Sequence, residues 1–110
     1  MDNNIKTYPA LACELNALSN IQRVQLGEFH RELLPLAISI DETVAGYDLR
    51  FKYTETSFIQ AAEYITLERL CCPFLNMALL IEQNDQAFLI RISGEPSIKA
   101  FVRAELGLRE

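Results

Sequence analysis

The sequence predicts an α+β fold, a two-layer sandwich in which helices cover one face of a four-stranded, largely antiparallel sheet, with elements in the order α-β-β-α-β-β-α. Two observations carry that expectation. Stretches of strand-like apolar pattern come in two pairs, 36–40 with 47–53 and 75–82 with 87–93, and stretches of helical spacing precede, separate and follow them. Proline or glycine stands at the boundaries, as Pro35, Gly46, Pro73, Pro96 and Gly107.

With 110 residues, half of them hydrophobic and 23% charged, the chain has material for one packed core and too little for two. Residues 1–110 are therefore read as a single domain. Residues 1–17 are the hardest to place: Leu11, Cys13 and Leu15 alternate with Ala12 and Glu14, the pattern of a short extended arm or of coil.

Ser19 and Gln22 fit a capping box and open a helix over 20–34, stopped by Pro35, with Leu18, Leu26, Phe29 and Leu33 on one side and His30 at the border of that stripe. Residues 36–40 then alternate as a strand, and 41–46 read as a loop. In 47–53, Tyr47, Leu49, Phe51 and Tyr53 face one way while Asp48, Arg50 and Lys52 face the other. Thr54 or Thr56 caps a second helix that runs to about Cys71, carries Phe58, Ala61, Ala62 and Ile65 at helical spacing, and ends at Pro73. Residues 75–82 and 87–93 form a second hairpin. Taking Asn84-Asp85 as its two-residue loop pairs Ile81 with Phe88, Leu79 with Ile90 and Met77 with Ile92. Pro96 suits the first turn of a last helix whose inner stripe is Ile98, Phe101 and Val102 and whose C-terminal stop is Gly107.

A net charge of -5, with no run of Lys and Arg, makes nucleic acid an unexpected partner. The start, Met1-Asp2-Asn3-Asn4, lacks the features of a secretory signal, and no stretch approaches the roughly 20 apolar residues that span a bilayer. No membrane partner and a cytoplasmic location are the resulting expectations. In that reducing compartment the three cysteines are expected to be thiols.

The segment Leu67-Glu68-Arg69-Leu70-Cys71-Cys72-Pro73-Phe74-Leu75, followed by Ile92-Ser93-Gly94 and Lys99-Ala100-Phe101, resembles a family of short uncharacterised bacterial proteins built around a Glu-Arg-x-Cys-Cys-Pro-Phe-Leu core. Ala12-Cys13 and the strand Gly46-Tyr47-Asp48-Leu49-Arg50-Phe51 extend the likeness over roughly residues 11–106. The resemblance implies that Cys13, Cys71 and Cys72 are to be considered together. It assigns none of them a role.

Physically, thiolates from Cys71, Cys72 and Cys13 would suit Cu(I), Hg(II), As(III) or, with a fourth ligand, Zn(II); His30 is the one histidine that could supply it. Three features oppose this, one being that the spacing contains none of the usual C-x-x-C ladders and nothing in it brings Cys13 to the pair. Helix neighbours point about 100° apart, so the pair converges only if the last turn unwinds before Pro73. A helix C-terminus also disfavours a thiolate. The other reading makes both cysteines small core residues, and Glu68-Arg69 a local surface ion pair.

No catalytic residue set stands out, and an enzyme using Cys71 or Cys72 with His30 as base ranks behind two other functions. The first is a non-enzymatic thiol module that binds a soft metal ion or senses oxidants through Cys71 and Cys72. The second is a homodimerisation module using the outer face of the second hairpin, where Leu80, Leu89 and the nearby Phe74 are more apolar than a solvated face requires.

Overall fold

The computed structural model describes residues 14–83 and 86–107, and in it the expected element order is present. Ser19 caps helix α1, Asn20–Glu28, through the reciprocal capping box with Gln22. The helix does not run evenly to Pro35. It widens into a π turn, Phe29–Leu33, closed by the Leu34 N–H donating to the Phe29 carbonyl, and then tightens into a 3₁₀ turn, Leu34–Leu36, that admits Pro35 at its start. The helical run thus ends at Leu36, two residues beyond the expected end, and strand β1 is displaced to Ser39–Glu42. Of the stretch read as an extended arm, residues 15–17 form a short 3₁₀ turn; residues 1–13 lie outside the described residues.

Strand β2 is Gly46–Lys52, helix α2 Glu55–Cys71, strand β3 Asn76–Glu82, strand β4 Ala87–Ser93 and helix α3 Ile98–Leu106. Thr54, not Thr56, caps α2, with Ser57 completing its capping box. The four strands form one antiparallel sheet in the order β1-β2-β4-β3. The second hairpin has the expected register: Ile81 opposes Phe88, Leu79 opposes Ile90 and Met77 opposes Ile92. Gly107 adopts the left-handed conformation (φ 71°) that lets its N–H cap the end of α3.

The core lies between the helices and the sheet face that carries Tyr47, Leu49, Phe51, Phe88, Ile90 and Ile92, all at most 4% exposed. Phe51 stacks on Phe88 with centroids 5.2 Å apart, and Phe58 of α2 meets Phe88 edge-on at 5.3 Å. Each such side chain contributes roughly 1.5–3 kcal/mol by leaving water. The inner stripe of α2 differs from the expected one: Ala61, Tyr64, Leu67, Glu68 and Cys71 are buried, while Ala62 is exposed.

On the opposite sheet face, Leu89 is only 5% exposed. Arg50 stands beside it on β2 and pairs with Glu82 of β3, two positions from Leu80, so that the ion pair spans the leucine. Arg91 holds Asp48 in a two-pronged pair at 2.9 and 3.1 Å. Among the described residues no helix is long and apolar enough to cross a membrane.

Gly46 begins β2 opposite Ser93, where a Cβ would collide with the carbonyl of Ile92 in the neighbouring strand. Gly46→Ala is expected to destabilise the fold by about 1–3 kcal/mol, because β4 must move to make room. Urea denaturation checks this, and a midpoint equal to the parent's would contradict the close strand approach.

Candidate functional site

The last turn of α2 is the only part of that helix where polar and thiol side chains face the core. Extending the buried stripe of Ala61 and Tyr64 by four residues and then three brings Glu68 and Cys71 inward. Glu68 is 1% exposed, so it is not the surface partner of Arg69 that its sequence neighbourhood suggested. Its partner comes from α1: His30 Nε2 lies 3.1 Å from Glu68 Oε2. The π turn delivers His30 there, stacking its ring edge-on against Tyr64 at 5.7 Å. Wide turns of this kind recur where a helix must present one side chain at a set angle.

The other carboxylate oxygen, Glu68 Oε1, is buried and, apart from the Tyr64 phenol that neighbours the carboxylate, meets no hydrogen-bond donor among the described residues. Glu105 comes from the last turn of α3. One ligand atom each from His30, Glu68 and Glu105 lie within 4.8 Å of one another. His30 and Glu105 also line a pocket of about 290 Å³ walled by Leu34, Ile40, Leu49 and Leu106.

The charges in this corner shift one another. The hydrogen bond to Glu68 raises the His30 pKa, outweighing burial, and the charges of Glu68 and Glu105 add to it. Burial lifts the Glu105 carboxyl, as does the Glu68 charge, while His30 opposes them. Burial, and then the neighbouring Glu68, push the Tyr64 phenol well above its usual range.

Cys71 and Cys72 are both fully buried. Cys72 still donates its N–H to the Glu68 carbonyl at 2.7 Å, but its φ/ψ of -129°/66° has left the helix. That opening of the last turn ahead of Pro73 meets the condition for convergence, and the two Sγ atoms are 3.7 Å apart. Cys71 is a free thiol whose pKa is pushed up to about 11, by burial first and then by Glu68 and Glu105. Cys72 is disulfide-bonded, which corrects the expectation that all three cysteines are thiols. Cys13 lies outside the described residues, but Glu14 donates its N–H to the Cys71 carbonyl at 2.7 Å.

Of the side chains expected at an interface, Leu80 alone is exposed. Leu89 is covered by the chain's own ion pair, and Phe74 is half-buried with its ring edge-on to Phe101 at 5.1 Å. Sequence reasoning missed the placement of Glu68 and Glu105 beside His30. The signal was their position on the apolar stripes of α2 and α3, the latter running Ile98, Val102, Glu105.

The raised His30 pKa has a consequence for stability. Its pairing with Glu68 stabilises the fold fully below the unfolded-state histidine pKa of about 6.5, and that contribution is lost as pH rises through the folded value. Stability measured against pH should show this downward step, and His30→Gln should remove it; parallel profiles for the two proteins would contradict the pairing.

In comparisons with known protein families, curated proteins and solved structures, nothing matches this chain.

Proposed function

We propose that the protein is a non-enzymatic oxidant-sensing thiol module whose redox-active bond is the disulfide of Cys72, with Cys71 as a guarded neighbouring thiol. The observation that carries this reading is the pair itself: two buried sulfurs 3.7 Å apart, one disulfide-bonded and one free. The chain has three cysteines, and the backbone of Glu14, covalently next to Cys13, is hydrogen-bonded to Cys71.

With a hydroperoxide as oxidant the chemistry balances. One thiolate attacks the peroxide oxygen, leaving a sulfenic acid and releasing an alcohol or water; the second thiol displaces water from it and closes the disulfide. The S–S bond forms, the O–O bond breaks, and two electrons pass to the peroxide. Cys71 keeps its proton to about pH 11, so it does not attack the adjacent disulfide near neutrality. A Cys71–Cys72 bond would close a strained eight-membered ring, and Cys71 stays free.

Donor atoms of Glu68, Cys71 and Cys72 lie within 4.8 Å of one another, and reduction of the Cys72 disulfide would turn them into a set able to hold a soft cation once both thiols lose their protons. The burial of Leu89 favours the thiol reading over the homodimer reading, because it removes half of the apolar pair that motivated the latter.

Treating reduced protein with hydroperoxide and mapping peptides without reductant tests the proposal. The expected product is a Cys13–Cys72 disulfide, with Cys71 alkylated only after denaturation. A crosslink across a loop of about 60 residues should add up to about 4 kcal/mol to stability, a gain absent from Cys13→Ser. Three thiols that all stay reduced, or a crosslink through Cys71, would overturn it.

A further inference from the structure

We infer that His30, Glu68 and Glu105 form a binding site for a borderline divalent cation, with Zn(II) the best match, which shares Glu68 with the cysteine cluster but uses no thiol and is open on one side to the pocket beside α3. The donor set is one imidazole nitrogen and two carboxylates, all within 4.8 Å of one another. Zinc accepts this combination with bonds of about 2.0–2.2 Å, which sets tetrahedral ligand atoms about 3.4 Å apart. The His30–Glu68 separation of 3.1 Å is already close to that spacing, so loading requires chiefly that Glu105 draw inward.

A second, independent observation points to a ligand. Glu68 is 1% exposed, and apart from the Tyr64 phenol that neighbours the carboxylate its Oε1 meets no hydrogen-bond donor among the described residues, although a carboxylate oxygen taken out of water is costly unless it is well partnered. A cation between Glu68 and Glu105 would satisfy that oxygen and offset the repulsion between the two carboxylates.

The helices reinforce the site. Glu68 and Glu105 each sit on the last turn of a helix, and His30 in the π turn that ends α1, so the negative ends of three backbone dipoles lie close to the cluster. Three protein ligands leave a fourth position, and the pocket of about 290 Å³ lined by His30 and Glu105 gives water or a small anionic ligand access to it.

The test uses the full chain, freed of metal with a chelator and titrated with Zn(II) by calorimetry in both its oxidised and reduced states. One equivalent should bind in each state, and Glu105→Gln and His30→Gln should each weaken binding at least tenfold while circular dichroism stays that of the parent. Co(II) substituted at the site should give visible d–d bands without a thiolate-to-metal charge-transfer band, and Cys71→Ser should leave them unchanged. Absence of saturable Zn(II) binding, binding that survives both substitutions, or a thiolate band would overturn the inference. None of those results depends on whether Cys72 forms a redox-active disulfide, so either reading can fail alone.

Discussion

The buried carboxylate of Glu68 is the constraint on which this corner of the protein depends. A carboxylate at 1% exposure is tolerated only when something replaces the water it has lost. Here His30 does so on one oxygen, and to bring the imidazole into reach α1 departs from regular α-helix over a full turn. The same charge acts in the other direction along α2. It lies one turn before Cys71, where it adds to burial in holding the thiol proton. The wide turn, the protonated thiol and the ligand-like arrangement with Glu105 are three responses to one buried charge.

The sheet supplies the rigidity against which this is held. Its inner face is aromatic and aliphatic, with Phe88 in contact with both Phe51 beside it and Phe58 of α2, and its outer face is tied across strands by the Arg50–Glu82 and Arg91–Asp48 pairs. Lys99 of α3 reaches Glu42 of β1 at 2.6 Å and lowers the carboxyl pKa there, a contact at the surface that orients α3 relative to the first hairpin. The helices are thus anchored along their lengths, while their C-terminal turns gather the polar groups.

Much of this was legible in the residues. The second hairpin could be read to the register because a shift by one would have turned Phe88, Ile90 and Ile92 to the other face. Ser19 with Gln22, Thr54 and Gly107 announce helix ends through local hydrogen bonding or backbone freedom that needs no tertiary information. The dependence of the Cys71-Cys72 pair on an unwound last turn was also readable, since it follows from helix geometry and Pro73. What was not legible is long-range. Glu68 beside Arg69 reads as a surface pair by composition, and only the stripe through Ala61, Tyr64 and Cys71 places it inside. The π turn left no sign in the sequence, and the contact it accompanies is with Glu68, 38 residues away.

That wide turn also makes the protein sensitive to length more than to composition between residues 29 and 33. The segment holds one residue more than an α-helix would use to close the same loop, the Leu34 N–H reaching back five positions to Phe29. A deletion there would restore ordinary helical closure and swing the side chains on one side of it by about 100° relative to those on the other. His30 and Leu33 could then not both keep their places, one at Glu68 and one in the core. Substitutions can be absorbed by repacking, whereas an insertion or deletion has no such outlet. Chains sharing this architecture should therefore keep this stretch at constant length even where its residues differ.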